Sequence, residues 1–253
     1  YIGVETEFRR TTKHNMRLGL LQVNEGEEIY LIDTILINDP KEHCSFLFSD
    51  SVIKIFHSCK EDLEAVFSWT DKKIVNIFDT QIANAFLNGD YSIGYQGLVE
   101  QKLGIVLNKN ETRSNWIRRP LSDSQLKYAA LDVEYLIYLY EAQREELTES
   151  SKFNWHNQDI ERLMNITFNP VPVFTEFERT ISKVEEEDIL KELNIIVKEI
   201  SERQKINTTL FFSKKAQKDF LRLVLIKGLN AACNEITEWR AELIREEMLN
   251  LLR

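Results

Sequence analysis

Three cysteines, Cys44, Cys59 and Cys233, are all that 253 residues contain, and they are odd in number and far apart. No CxxC pair occurs. That argues against a disulfide framework and a thiolate zinc site, and points to a reducing, cytoplasmic setting. No run approaches the ~18 consecutive apolar residues of a membrane span. No internal repeat or low-complexity tract is present. His14, His43 and His156 have no metal-ligand spacing, and His57, at a strand end, reads as a packing or hydrogen-bonding residue. Positive charge is also short, with 32 Lys and Arg against 41 Asp and Glu, for a net charge of −9. Residues 1–150 hold most of the imbalance, 24 acids against 16 bases. Such a chain binds nucleic acid poorly without sequence-specific help, because phosphate attraction is the main sequence-independent contribution. A nucleic-acid partner would require local basic patches or bound metal ions. The chain opens without Met and inside a strand, as from a trimmed N-terminus, so a removed targeting segment stays open.

Apolar residues make up 43%, enough for the core of one large domain or two ordinary ones. YIGVETEF at 1–8 reads as a strand, followed by RLGLLQV at 17–23 and EIYLID at 28–33 with NEGE between them. SVIKIFH at 51–57 is a fourth strand and IVNIF at 74–78 a fifth. Helices are expected at 60–69, 80–87 and 93–104, the last ending at Gly104. Residues 108–121 form a polar loop. Ser122 and Gln125 then make a capping box for a long helix, with Leu126, Ala130, Val133, Ile137 and Tyr140 as its buried stripe. Residues 151–180 lose periodicity and carry Pro170 and Pro172, and read as a linker. From 181 to 253 only helical patterns remain. The expected fold is α/β, a mixed five-stranded sheet flanked by helices (1–150), followed by a small all-α domain (181–253).

Strand alternation puts Glu5 and Glu7 on one face and Ile2, Val4, Thr6 and Phe8 on the other. An interior strand rarely carries two like charges without a partner, and a bound cation is one such partner. An exposed polar sheet face is the ordinary alternative. Asp62 opens the helix after the fourth strand. Asp132 sits mid-helix in an otherwise apolar stretch, with Tyr128 four residues earlier on the same face. Taken alone, Asp132 reads better as a solvated outer-face residue and Tyr128 as ordinary packing. Four carboxylates converging from a strand and two helices would hold two divalent cations about 3.5–4 Å apart, Mg²⁺ or Mn²⁺ rather than zinc.

The order ETEF, HSCKEDLEAV, FDTQIANAF and SNWIRRPLSDSQLKYAALDVEYL resembles the ribonuclease D family of exonucleases over residues 1–147. The Tyr-x-x-x-Asp spacing marks the tyrosine-type branch of the wider DEDD group. The resemblance implies a ribonuclease-H-like fold and two-metal hydrolysis of 3′-terminal phosphodiesters, releasing nucleoside 5′-monophosphates. It also implies structured RNA such as tRNA precursors as substrate, with no membrane or obligate protein partner evident. By position, Glu5 falls where the family has the Asp that bridges both metals, and Glu7 matches a ligand of one metal. Asp62 matches the acid that reaches the other metal mainly through water. Asp132 matches a further ligand, and Tyr128 the residue that positions the attacking water. The C-terminal helices resemble a helicase-and-RNase-D-C-terminal (HRDC) module. Two departures stand out. Glu5 replaces the family Asp and is longer by one C–C bond, ~1.5 Å. Only about one helical module fits where the family usually has two. A catalytically impaired RNA-binding scaffold and a DNA 3′-5′ exonuclease are the alternatives.

Lys60, Arg113, Arg118 and Arg119 lie in or near the motif loops and are candidates for phosphate contacts. Trp116 is a candidate for stacking a base, or else packs at the Pro120 corner. Lys214, Lys215 and Lys218, with Arg203, Lys205 and Arg222 nearby, form the best secondary patch for RNA, although a charged helix face is the commoner outcome. Charge reversal of Lys214, Lys215 and Lys218 is expected to weaken RNA binding and flatten its salt dependence. Unchanged affinity in a filter-binding titration would eliminate the patch.

Overall fold

A computed structural model describes residues 1–12, 15–107, 114–169 and 181–252. The chain divides into two compact units, one formed by 1–83 and 92–148, the other by 84–91 and 149–253.

The first unit is built on five strands, β1 (Ile2–Thr12), β2 (Asn15–Asn24), β3 (Ile29–Asp33), β4 (Lys54–Phe56) and β5 (Ile77–Asp79). Their order across the sheet is β3-β2-β1-β4-β5. β1 pairs antiparallel with β2 and β2 with β3, while β4 runs parallel to both β1 and β5. β4 is buried throughout, as expected for a parallel interior strand. Even Lys54 is enclosed, its ammonium donating to the Ser49 and Val52 carbonyls at 2.7 Å each. β4 pairs only with Ile2 and Gly3 of β1. From Val4 onward that edge of β1 has no ladder partner in β4.

Helices cover both faces. A short α1 (Pro40–His43) precedes β4, and α2 (Lys60–Thr70) packs against β1 and β2. Then come α3 (Thr80–Phe86), α4 (Tyr95–Leu103), α5 (Asp123–Glu134) and α6 (Leu136–Glu149). α5 packs across β1, β2 and β3. Its start is the expected capping box, with Ser122 accepting from the Gln125 N–H and Gln125 reaching back to Ser122. Its buried residues are Ala129 and Val133, while Leu126 is 36% exposed, so the apolar stripe is rotated from the expected one.

The long helix expected from 122 onward is interrupted at Tyr135. In an unbroken helix the Tyr135 N–H would donate to the Leu131 carbonyl. Here the Tyr95 hydroxyl stands between them, accepting from Tyr135 N at 2.9 Å and donating to Leu131 O at 3.0 Å. A side chain inserted into the ladder is a recognised cause of a helix break. The Asn24 amide donates to the Val133 and Glu134 carbonyls at 3.0 Å each, satisfying two more groups at this end.

A bulge pins the loop before α5. Glu7 pairs with Leu20 and Phe8 with Leu18, which leaves Gly19 as the extra residue of β2. A Cβ on Gly19 would lie 2.4 Å from the Trp116 carbonyl oxygen, so only glycine permits this approach. Arg119 fastens the same place. It donates to both Asp33 carboxylate oxygens at 2.6 Å, to Gly19 O at 2.7 Å and to Trp116 O at 2.9 Å.

The second unit holds α7 (Phe153–Phe168), α8 (Lys183–Gln204), α9 (Thr208–Phe212), α10 (Lys214–Lys227), α11 (Leu229–Cys233) and α12 (Glu238–Leu251). α7 corrects the expected 151–180 linker, whose residues 170–180 lie outside the described residues. Its helical stripe was hidden because the buried face carries the polar residues His156 and Asp159. Asp159 is paid for by partners 80 residues on, accepting from Trp239 Nε1 at 3.0 Å and from the Arg240 guanidinium at 2.8 Å. Residues 84–91 also belong to this unit rather than to a continuous 1–150 domain. Asn207 N donates to Ala85 O at 2.8 Å and Lys152 Nζ to Phe86 O at 3.0 Å. The three cysteines are buried and unpaired, and among the described residues no helix is long and apolar enough to cross a membrane.

Tyr95→Phe removes the hydroxyl that bridges the helix break. It is expected to lower the unfolding free energy by about 1–3 kcal/mol, read as a lower urea midpoint at unchanged slope.

Candidate active site

Glu5 and Glu7 lie on the β1 face that α5 covers, as alternation requires. Asp132 projects from α5 and Asp62 from the first turn of α2. Asp62 is buried, whereas Glu5, Glu7, Asp132 and Tyr128 are partly accessible. Burial pushes the Glu5 carboxyl well above the usual carboxylate range, and repulsion from Asp62, Asp132, Glu7 and Asp79 raises it further. Glu7 is raised to about 9 by burial first, then by Asp132 and Asp62. Burial lifts Asp62 to about 7 against the opposing Thr6 hydrogen bond, and Asp132 to about 6 against a hydrogen bond from Tyr128. The Tyr128 phenol is raised by burial and by the Asp132 charge, and stays protonated as a donor. The four acids are thus close enough to oppose one another's ionisation.

They do not all meet at one point. Asp62 accepts from the Thr6 hydroxyl at 2.5 Å, on the other side of β1 from Glu5 and Glu7. Among the described residues no three His, Cys, Asp or Glu side chains are disposed to hold an ion as they stand. The donor set is nonetheless all oxygen, the chemistry that hard divalent cations take. Its mutual repulsion is what a cation would relieve. Ligation of an ion by three or more of them would require the carboxyls to rotate toward a common point.

Asp79 was not singled out in the sequence, and it braces this region. Its carboxylate accepts from the Cys59 N–H at 2.8 Å, ahead of α2, and from the Gln81 and Ile82 N–H groups at 2.8 and 3.1 Å, opening α3. The signal was present as an Asp immediately before a helical run. His57 is fully engaged, with its ring nitrogens 2.9 Å from Thr80 Oγ1 and 3.0 Å from Ile93 O.

A family model described as 3′-5′ exonuclease matches residues 1–148. The chain belongs to that family. Ribonuclease D from Shewanella sp. (strain ANA-3) is 38% identical over 160 residues, covering 63% of this chain and 41% of that protein. The chain spans about two fifths of the length of such curated relatives. The crystal structure of Escherichia coli RNase D, described as an exoribonuclease involved in structured RNA processing, aligns over 99% of this chain and 67% of that one. Its TM-score is 0.63 at 23% identity. Brucella melitensis NrnC with bound Mg²⁺ aligns over 70% of this chain and 90% of that one, with a TM-score of 0.57 at 21% identity. These two structures share this chain's fold.

The residues expected to meet nucleic acid fall into three groups. Lys60 and Arg118 are exposed on the first unit, and Lys214, Lys215 and Lys218 are exposed on α10 of the second. Arg113 lies outside the described residues. Trp116 and Arg119 are corrected. Trp116 is 5% exposed and packs with Leu20 and Ala129, so it has no free ring face for a base. Arg119 is committed to Asp33 and three backbone carbonyls, and its role is to fasten the loop.

The raised carboxyls make stability depend on pH. Each keeps its proton to higher pH folded than unfolded, so the folded chain binds more protons above about pH 4. Their contribution to stability is complete below that pH and is lost as pH rises through about 6, 7 and 9 for Asp132, Asp62 and Glu7. In EDTA the metal-free protein is expected to melt at a lower temperature near pH 8.5 than near pH 5.5. A melting temperature that does not fall over this interval would contradict the raised carboxyls.

Proposed function

We propose that this chain is a metal-dependent 3′-5′ exoribonuclease that removes nucleoside 5′-monophosphates from the 3′ ends of structured RNA, tRNA precursors among them. The carrying observation is the gathering of four carboxyls from β1, α2 and α5, with Glu5 and Glu7 each opposed by Asp62 and Asp132, inside a domain of the 3′-5′ exonuclease family. Glu5, Glu7, Asp62 and Asp132 would hold two divalent cations, Mg²⁺ or Mn²⁺. Bound there, the ions would supply charge stabilisation for an in-line displacement at phosphorus and offset the acidity of the site. The names of the ribonuclease D relatives support RNA as the substrate class.

The chain's own residues divide the remaining work. Tyr128 is half-buried and donates to Asp132, which leaves its oxygen as an acceptor that orients the attacking water. Asp132 fixes that phenol and faces Glu7. Thr6 restrains Asp62. Exposed Lys60 and Arg118 offer contacts to the phosphate backbone.

Glu5 is the feature that favours a second reading, an impaired scaffold. Its extra methylene displaces the carboxyl, and a misplacement of about 1 Å can cost on the order of 100-fold in rate. A 3′-extended tRNA and a matched DNA oligomer, each incubated with Mn²⁺, separate the readings. Stepwise shortening of the RNA with release of 5′-monophosphates is expected. Shortening of DNA alone would identify a DNA exonuclease, and inertness toward both would leave the scaffold. Glu5→Ala is expected to abolish hydrolysis and Glu5→Asp to preserve or raise it. Tyr128→Phe is expected to lower kcat by about 100-fold with KM little changed.

A further inference from the structure

Gln22 in β2 is fully buried, and among the described residues neither atom of its side-chain amide has a hydrogen-bond partner. Leaving such a group unpaired costs about 1–3 kcal/mol. A site that keeps it invites a reason. Gln22 lies directly cross-strand from Glu5. Both side chains therefore stand on the face that α5 covers, with about 5 Å between directly opposed Cβ atoms. On its other flank Gln22 pairs with Leu31 of β3, whose side chain has no polar atom. Its neighbours along this face of β2 are already occupied. Leu20 packs with Trp116 and Ala129, and Asn24 donates to the end of α5. The carboxyl of Glu5 is the polar side chain that the register places beside it.

We propose that Gln22 is a positioning residue for Glu5. Its amide N–H donates to the Glu5 carboxylate when a divalent cation holds that group ionised, and so fixes the oxygen that faces the ion. An amide suits this place. It donates to a carboxylate without adding a positive charge that would compete with the cation, as a lysine would. Groups that orient a metal-ligating carboxylate from behind typically contribute 10- to 100-fold in metal affinity. The inference rests on the metal-binding reading of Glu5 given above.

Mn²⁺ titration of the full chain, followed by electron paramagnetic resonance of the free ion, tests it together with thermal melts. In Gln22→Met, which keeps a similar volume, the metal-free protein is expected to be at least as stable as the parent, because an unpaired buried amide is gone. Its Mn²⁺ dissociation constant is expected to rise about 10- to 100-fold, and the increase in Tm on adding Mn²⁺ to shrink accordingly. Parent-like Mn²⁺ affinity in Gln22→Met would overturn the proposal and leave the metal reading standing. A destabilised metal-free Gln22→Met would also overturn it, since the amide would then have a partner within the protein. A parent chain that binds no Mn²⁺ would overturn the metal reading itself, and this proposal with it.

Discussion

Like charges brought together where water is scarce raise one another's free energy, and the first unit is arranged around that conflict. Glu5 and Glu7 are fixed two residues apart on a strand whose other face is core. Asp62 and Asp132 arrive from helices on opposite sides of the sheet. Each is pushed toward its neutral form, first by burial and then by the others or against a hydrogen bond that favours the charge. Protons relieve the conflict at low pH. A divalent cation, bound as proposed above, would relieve it at neutral pH and would offset the acidity of the cluster toward a phosphate. The shortness of β4 matters here too. It leaves the edge of β1 beside Glu5 and Glu7 without a ladder neighbour, next to the turn that leads into Asp62.

The placement of α5 is over-determined, as suits a helix that carries two candidate site residues. At its front the Gly19 bulge admits the Trp116 backbone, and Arg119 ties that loop to two strands. At its back the Tyr95 hydroxyl and the Asn24 amide take the hydrogen bonds that an uninterrupted helix would have kept for itself. The interruption ends α5 at Glu134 and starts α6 at Leu136. Four residues, none of them acidic, thereby set where Tyr128 and Asp132 stand relative to β1.

Local patterns were readable in the sequence wherever one element determined the outcome. The alternation of β1, the capping box at Ser122 and the strand-helix alternation each depend on neighbours a few residues apart, and each took its expected form. What escaped depends on distant partners. α7 looked irregular because Asp159 and His156 occupy its buried face, and Asp159 is tolerated there only through Trp239 and Arg240. Arg119 and Trp116 looked like nucleic-acid contacts because they sit in a polar loop, yet Asp33 and Leu20, from strands far earlier in the chain, draw them inward. The break at Tyr135 required knowing that Tyr95 would reach it. Of the candidate site, periodicity pairs Glu5 with Glu7 and Tyr128 with Asp132, and only the resemblance to the ribonuclease D family joined the two pairs. The tether of Asp62 to Thr6, and the bracing by Asp79, follow from neither.

The excursion at residues 84–91 bears on how this chain can be divided. Phe86 lies against Trp155 and Trp239, and the carbonyls of Ala85, Phe86 and Gly89 serve Asn207 and Lys152. The helical unit is therefore discontinuous along the polypeptide, and no single cleavage releases it whole. A fragment starting at Glu149 would expose two indole rings and strip Asn207 of both its acceptors. A contiguous stretch of coding sequence that carries this unit whole has to bring 92–148, part of the other unit, along with it. The modules that recombination could shuffle and the bodies that fold are, in this chain, different things.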